Sequence, residues 1–249
     1  MPETTRLVKN VLLPAGGEGT RLNGYRNPKR CKSLIEAYDG KTMLEHTLSV
    51  IKESGVAERV LIVGKPKNYG LMRSIANRVG VNYRYIIDEK QGGVRTLPVL
   101  CEAMLEEEPF LQICGHAPPD ASYLREMCKI RKTQYDQVLS AYKLRSDKRK
   151  LRIAIDGSRV VSFLSAWHNR RDTKKNSVFY ADSPYLLTSD IIRRLKEDLC
   201  TGSLQSYFQG QIEYTDFYAL LAPFPPEADF ADDLDNMLLY LHNMAPVEV

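Results

Sequence analysis

The sequence predicts an α/β protein: a three-layer α/β/α, Rossmann-like mixed sheet with an antiparallel hairpin addition in its second half. In the first half, short apolar runs alternate with segments of helical length, an order that favours a parallel sheet with right-handed crossovers. In the second half, two apolar runs flank Asp156-Gly157-Ser158, which is a hairpin turn signal. The chain has 249 residues, of which 43% are hydrophobic, so it can bury a full core. We therefore expect a single domain.

The predicted elements follow from this alternation. Strands are expected at Val8 to Leu13, Arg59 to Val63, Val81 to Ile87, Leu111 to Cys114 and Gln137 to Tyr142. Helices are expected at Thr42 to Glu53, Tyr69 to Val79, Val94 to Leu105 and Tyr123 to Arg131. The hairpin strands follow at Leu151 to Ile155 and Arg159 to Leu164, then a last strand within Gln211 to Ala222 and a final helix over Leu234 to Leu241.

A glycine-rich turn follows the first predicted strand and carries the strongest functional signal. Open α/β sheets hold ligands at the C-terminal ends of their parallel strands, so this turn begins where a site is expected. Gly16, Gly17 and Gly19 permit close backbone approach and positive φ, which lets several N–H groups converge on an anion. Arg21 adds a forked positive charge. The segment therefore predicts a phosphate-binding loop.

Two better-known glycine motifs are excluded by their spacing. The dinucleotide fingerprint requires a third glycine where this chain has Leu22. Gly40-Lys41-Thr42 looks like the end of a P-loop, but Ile35 occupies the position of the leading glycine, and no apolar strand precedes it. We interpret Gly40-Lys41-Thr42 as a turn before a helix.

The segment from the first strand to Ile35 resembles the signature of the sugar-phosphate nucleotidyltransferase superfamily. In that family an apolar strand, an alanine, a Gly-x-Gly-Thr-Arg-Leu loop and a later lysine bind a nucleoside triphosphate. Lys32 falls at the family's lysine, although Cys31 replaces the usual proline before it, and Lys29 is the alternative lysine. The resemblance implies Arg21 and Lys32 as catalytic residues. It implies nucleotide contacts at Leu13, Ala15, Gly16, Gly17, Glu18, Gly19, Thr20 and Gly115.

A second similarity lies between Asp88 and Met104, where a glycine-containing loop runs into an apolar helix. The family has its base-contacting loop at this place. The resemblance implies Gln91, Gly92 and Gly93 as further nucleotide-binding residues. The alternative interpretation is an ordinary strand-to-helix turn with two glycines.

The resemblance also implies a divalent metal cofactor, Mg2+ or Mn2+. The strand over Phe110 to Cys114 ends in Gly115-His116-Ala117-Pro118, where the family has Gly-Asp-x-Pro with a metal-binding aspartate. Imidazole suits softer transition metals better than Mg2+, so Asp120 is an alternative ligand, and His116 could instead bind substrate phosphate. Asp229 falls at the family's second metal aspartate. It could also be an acidic residue of a helix first turn, which the helix dipole favours.

The family turns antiparallel in its second half and places its acceptor-sugar pocket there. By this resemblance, about 1–136 is the nucleotide-binding half and about 137–249 the acceptor-binding half of one domain. The family's Glu-Lys-Pro after the hairpin is missing here, where the chain reads Phe163 to Trp167 without acid or lysine. Tyr180, Lys174 and Lys175, with Arg171, are the acceptor candidates, whereas Asp216 is ambiguous because its segment also fits the last strand.

Composition narrows the class of partner and the compartment. The five cysteines are an odd number without a Cys-x-x-Cys pair, which argues against a zinc site and favours a reducing, cytoplasmic compartment. The sequence contains no leader-like start and no apolar stretch of membrane-spanning length, so we expect no membrane partner. The net charge is only +4. The basic run over Lys143 to Arg152 and the cluster near Trp167 are more typical of solvated loops than of a nucleic-acid surface.

These observations predict an enzyme that joins a nucleoside triphosphate to a sugar 1-phosphate or related phosphate monoester, giving an NDP-sugar and pyrophosphate. Its partners would be the triphosphate and a phosphorylated small-molecule acceptor, and the sequence leaves open whether the chain forms a homo-oligomer. A catalytically degenerate nucleotide-binding or regulatory protein of the same fold is the alternative, motivated by His116 and the missing Glu-Lys-Pro. RNA binding through the Lys143 to Arg152 run is a third hypothesis.

Overall fold

The protein is described from a computed structural model that covers residues 7–18, 31–89, 97–105, 108–131, 137–143, 151–164, 177–190, 192, 208, 215–225 and 231–244. The strands are β1 Val8–Pro14, β2 Ala57–Gly64, β3 Tyr83–Ile87, β4 Phe110–Gln112, β5 Gln137–Lys143, β6 Leu151–Asp156, β7 Arg159–Leu164, β8 Ser177–Leu187 and β9 Phe217–Leu221. The α-helices are α1 Met43–Ser54, α2 Tyr69–Val79, α3 Leu97–Leu100, α4 Glu102–Leu105, α5 Ala121–Arg131 and α6 Ala231–Met244. Two 3-10 turns lie at Lys32–Leu34 and Pro66–Asn68.

The described strands form one mixed sheet in the order β3-β2-β1-β4-β8-β5-β9-β7-β6. β1 pairs in parallel with β2 and β4, and β2 pairs in parallel with β3. β8 is antiparallel to β4, β5 and β6, and β6 and β7 form an antiparallel hairpin. The predicted α/β class, with its parallel first half and hairpin addition, is confirmed.

The sheet has a hydrophobic core on each face, which gives the three layers. β1 contributes to both because neighbouring side chains in a strand point to opposite faces. Val11 and Leu13 pack with residues of α1, α2 and α5, whereas Leu12 packs on the other face with Cys101, Leu105 and strand residues. All three β1 side chains are fully buried. The C-terminal end of β1 is therefore held firmly where the glycine-rich turn begins.

Helix α6 packs over one end of the sheet rather than along it. Its buried side chains Leu234, Met237, Leu238 and Leu241 recur at the spacing of one helix face. They form a third cluster with Ile35, Ala37, Met43, Cys114 and Ala117. The last helix thus covers the turn that follows Leu34 and the loop that follows β4.

Local chemistry explains the turn at Gly40-Lys41-Thr42, whose prediction is confirmed. Gly40 has a φ of 78°, a conformation that glycine adopts without strain. The Thr42 hydroxyl accepts a hydrogen bond from the Glu45 N–H at 3.1 Å and so caps α1. This segment is a helix start and carries no P-loop.

Several element boundaries differ from the sequence prediction. The helix expected over Val94 to Leu105 is two short helices, α3 and α4, and Val94 lies outside the described residues. The strand expected from Val81 begins at Tyr83, and α6 extends beyond both predicted ends. β8, the long strand that joins the two halves of the sheet, was not predicted at all. Among the described residues, no helix is long and apolar enough to cross a membrane.

Candidate active site

Three segments converge where β1 and β4 end: residues 15–18, the turn Lys32–Leu34 and residues 113–117. The Lys32 N–H donates to the Gly17 carbonyl at 2.9 Å, and the Gly115 N–H donates to the Pro14 carbonyl at 2.8 Å. The Cys31 thiol donates to the Ala15 carbonyl at 2.6 Å. The segment after β1 is therefore fastened on both sides through the carbonyl groups of Pro14, Ala15 and Gly17.

The loop after β1 does not use the positive φ angles that its glycines would permit, which corrects one expectation from the sequence. Neither Gly16 nor Gly17 has a positive φ, so these glycines are not required by backbone conformation. No described atom lies within 4 Å of a Cβ built on Gly17, and a Cβ on Gly16 would make only a normal contact of 3.5 Å with Gly64 Cα. The space above Gly17 is what a ligand phosphate would need. Ala15 continues the strand pairing, because its N–H donates to the Val63 carbonyl at 2.8 Å.

Lys32 lies beside this loop and is only 8% exposed. Its backbone N–H bonds to Gly17, so the 3-10 turn moves with the loop as one unit. Cys31, which stands where the resembled family has a proline, supplies a second connection through its thiol. Burial raises the pKa of the Cys31 thiol, so the thiol stays protonated and keeps donating to the Ala15 carbonyl at neutral pH.

Glu18, at the end of the described loop, contacts two cations that the sequence analysis did not single out. Lys65 Nζ lies 2.6 Å and Lys67 Nζ 3.3 Å from Glu18 Oε1. The hydrogen bond from Lys65, followed by that from Lys67, lowers the pKa of the Glu18 carboxyl. Open α/β sheets hold ligands at the C-terminal ends of their parallel strands, and this applies to β2 as well as to β1. Lys65 directly follows β2, and Lys67 lies two residues further on, so this rule could have identified both lysines from the sequence.

Gly115 is required by space. A Cβ at this position would lie 3.0 Å from Ser33 Oγ, 3.1 Å from Ala15 Cβ and 3.3 Å from the Pro14 carbonyl oxygen. All three are tighter than ordinary van der Waals contacts, and two of them involve the loop after β1 or its strand. Gly115 therefore lets the β4 loop approach both other segments of the site.

Replacing Gly115 with alanine is expected to destabilise the fold by about 1–3 kcal/mol, since overpacking of a well-packed region costs that much. The added methyl would displace Ala15 or Ser33 and so disturb the packing between the two loops. Thermal unfolding measures the loss of stability. Gly70→Ala in α2 is the matched control, because no described atom lies within 4 Å of its Cβ position. If both variants were equally stable, the close packing at Gly115 would be irrelevant.

His116 follows Gly115 and is buried. Asp120, the alternative metal ligand, caps α5 instead: its Oδ1 accepts hydrogen bonds from the Tyr123 N–H at 3.0 Å and from the Ser122 hydroxyl. Burial raises the pKa of Asp120, but these hydrogen bonds outweigh it and lower the pKa overall. Within the described residues, no group of three or more His, Cys, Asp or Glu side chains is arranged to hold a metal ion.

Tyr180, the one acceptor candidate among the described residues, and the ambiguous Asp216 lie in different surroundings. Tyr180 is 5% exposed, and its ring stacks on Tyr142 with centroids 5.6 Å apart. Asp216 is half exposed and accepts from Arg159 at 2.6 Å, so it links β7 to the start of β9. The other predicted residues lie outside the described part of the chain: Gly19, Thr20, Arg21, Lys29, Gln91, Gly92, Gly93, Arg171, Lys174, Lys175 and Asp229.

Comparisons with known proteins agree with this architecture. Residues 11–206 match the family of MobA-like NTP transferase domains. The bifunctional protein GlmU of Staphylococcus saprophyticus is 30% identical over 112 residues, 44% of this chain and 23% of GlmU. The chain thus spans only about a quarter of the length of the curated relatives it matches.

Two solved structures have the same fold at low sequence identity. An apo UDP-glucose pyrophosphorylase superimposes with a TM-score of 0.77 at 16% identity, over 95% of this chain and 99% of that one. The inositol-1-phosphate CTP transferase from T. maritima superimposes with a TM-score of 0.74 at 18% identity, over 98% of each chain. Because the family match spans well over half of its length, the chain belongs to the MobA-like NTP transferase domain family, within the nucleotidyltransferase superfamily.

Proposed function

We propose that this protein transfers a nucleotidyl group from a nucleoside triphosphate to a sugar 1-phosphate or related phosphate monoester, releasing pyrophosphate. The observation that carries the proposal is the convergence of the Gly16-Gly17 loop, Lys32 and Gly115 where β1 and β4 end. The structural neighbours support the class of acceptor, since their names are UDP-glucose pyrophosphorylase and inositol-1-phosphate CTP transferase.

The proposed chemistry is an in-line displacement. A phosphate oxygen of the acceptor forms a bond to the α-phosphorus, and the bond from that phosphorus to the β-phosphate oxygen breaks, so pyrophosphate leaves with the electron pair. The acceptor is already an anion, so no general base is needed. Lys32 would neutralise charge on the α-phosphate, and Arg21 would hold the leaving phosphates. The loop over Ala15 to Thr20, following Leu13, would bind phosphate through its N–H groups, with Gly115 beside it.

The two halves of the chain would divide the substrates. We assign about 1–136 to the nucleotide, with Gln91, Gly92 and Gly93 at the base, and about 137–249 to the acceptor. Lys174 and Lys175 are the proposed contacts for the acceptor phosphate. Because the ring of Tyr180 is buried and stacks on Tyr142, we assign it a supporting role in acceptor binding rather than a direct contact.

The test is pyrophosphate release by the purified protein with UTP, CTP, GTP, dTTP and ATP, each against a panel of sugar and polyol phosphates. Turnover with one pair would establish the activity and name both substrates. A triphosphate that raises the melting temperature without any turnover would favour the second candidate, a nucleotide-binding protein that has lost the chemistry. The imidazole of His116 at the metal-aspartate position is the observation that favours this second candidate.

The residues that the structure describes do not complete a divalent metal site. His116 offers an imidazole where a hard ion takes a carboxylate, and the carboxylate of Asp120 caps α5. The steps above are therefore assigned to the chain's own cations. We propose that the divalent cofactor, Mg2+ or Mn2+, is held by Asp229 with His116 as the weaker ligand.

Pyrophosphate release is expected to be faster with Mn2+ or Co2+ than with Mg2+, because imidazole is a better ligand for the softer ions. Rates measured in each ion in turn check this. His116→Asp restores a carboxylate and should shift the preference towards Mg2+. If His116→Ala retains full activity in Mg2+, the side chain is not a ligand.

A further inference from the structure

Two lysines that follow β2 share one carboxylate on the glycine-rich loop. Lys65 Nζ lies 2.6 Å and Lys67 Nζ 3.3 Å from the same Glu18 oxygen, Oε1. The group therefore contains two ammonium ions and one carboxylate, which leaves one positive charge in excess. Glu18 lies next to Gly17, so this excess charge is at the loop that would hold phosphate.

A hydrogen bond from β3 holds the backbone at Lys65 in place. The Tyr85 hydroxyl, on β3, donates to the Lys65 carbonyl at 2.8 Å. Burial raises the pKa of Tyr85 to about 12, so the phenol remains protonated and keeps donating at neutral pH. A Cβ on Gly64 would overlap the Tyr85 hydroxyl, so glycine is needed for this contact. The side chain of Lys65 is only 14% exposed and so has little freedom to leave the loop.

Lys67 approaches the same site from the 3-10 turn Pro66–Asn68. Besides its ion pair with Glu18, its charge reaches the Cys31 thiol, where it lowers the pKa against the larger effect of burial, which raises it. Cys31 precedes Lys32, whose backbone N–H is bonded to Gly17. Lys65 and Lys67 therefore contact the same loop to which the backbone of Lys32 is bonded.

An exposed ion pair alone does not explain this arrangement. Exposed ion pairs contribute little to stability because solvent screens them, and the Glu18 side chain is 46% exposed. Two cations on one exposed carboxylate are better suited to a more highly charged anion, and a lysine ammonium is a common phosphate ligand. A triphosphate bound above Gly17 would bring such an anion to both lysines.

We propose that Lys65 and Lys67 bind the β- and γ-phosphates of the nucleoside triphosphate, and that Glu18 holds the two ammonium groups in place until the triphosphate replaces it. This inference rests on the proposed function. It adds to the site two binding residues from the segment that follows β2, and it gives Glu18 the role of an internal substitute for phosphate. Pyrophosphate, the leaving group, should bind to the same lysines.

The test uses inorganic pyrophosphate as the probe, because it needs no knowledge of the base. Calorimetric titration of the purified protein should show that Lys65→Met and Lys67→Met each weaken pyrophosphate binding by about tenfold, as expected for a lost charged hydrogen bond. Glu18→Gln should strengthen it by about threefold, because the competing carboxylate charge is gone. Lys129→Met, an exposed lysine on α5, is the control of equal charge change and should leave affinity unchanged.

Each outcome separates a ligand role from a merely structural one. If Glu18→Gln weakens binding as much as the lysine variants do, the ion pairs only brace the loop, and the inference is wrong. The wild type could release pyrophosphate from a triphosphate while the lysine variants bind pyrophosphate as tightly as the wild type. In that case the inference is wrong, but the proposed function stands. If the wild type neither binds pyrophosphate nor turns over any triphosphate, both the inference and the proposed function are overturned. The melting temperature of each variant should be measured to check that it is folded.

Discussion

Replacing Lys32 with alanine is expected to lower pyrophosphate release by ~10²-fold or more, the usual cost of losing one preorganised charge in a transition state. The structure gives the reason for a large effect. Lys32 is buried, and its backbone N–H is bonded to the Gly17 carbonyl, so its turn is anchored to the loop that we propose holds the phosphates. A flexible surface lysine would not take over this position. Steady-state turnover with the best pair from the substrate panel measures the loss.

Lys129→Ala removes the same charge from an exposed position on α5 and serves as the control. Its turnover should equal that of the wild type. Arg21→Ala should reproduce the Lys32 defect, because we assign both cations to the same triphosphate. An unchanged rate in Lys32→Ala, with Lys29→Ala reduced instead, would move the catalytic assignment to the alternative lysine.

The first half of the fold was predictable because its signals are local. β1 is a run of buried apolar residues, and the turn at Gly40 carries both a positive-φ glycine and a threonine cap. Such features depend on a few neighbouring residues, so the sequence alone specifies them. The alternation of strands and helices then determines a parallel sheet.

The long strand β8 could not be predicted because its local sequence favours a turn and its strand structure depends on tertiary contacts. Its sequence contains Asp182-Ser183-Pro184, which is typical of a turn. Tertiary contacts override that local preference: the Ser183 hydroxyl accepts from the Cys114 N–H at 2.9 Å, and β4, β5 and β6 pair along the strand. Because these contacts come from three separate segments of the chain, the sequence of β8 alone does not indicate them.

In the candidate site, too, the residues with a local sequence pattern were predicted, and those brought together only by tertiary contacts were not. The loop glycines and Lys32 form a recognisable spacing, and the structure brings that loop and the lysine together. The reason given for the glycines was wrong in part, since neither Gly16 nor Gly17 has a positive φ. Lys65 and Lys67 were missed because they belong to no motif. Only the parallel pairing of β1 with β2 brings them to Glu18.

Helix α6 offers a test of how the end of the chain supports the site. Leu238 is fully buried in the cluster that includes Ile35, Cys114 and Ala117, whereas its neighbour Leu239 is 55% exposed. Leu238→Ala is expected to lower the free energy of unfolding by about 2–5 kcal/mol, the cost of deleting a buried leucine side chain. For a chain of this size, that corresponds to a fall in melting temperature of roughly 5–15 °C.

Turnover should fall together with stability, because α6 covers the loop that carries His116 and begins two residues after Asp229. Leu239→Ala is the matched control: the same atoms are removed from the solvent-facing side of the same turn, so both quantities should stay close to wild type. Pyrophosphate release measured well below the melting temperature separates the two effects. If Leu238→Ala loses stability but keeps full turnover under those conditions, α6 contributes to the fold alone. A loss of turnover beyond the fraction unfolded would indicate that α6 also holds the β4 loop in position for catalysis.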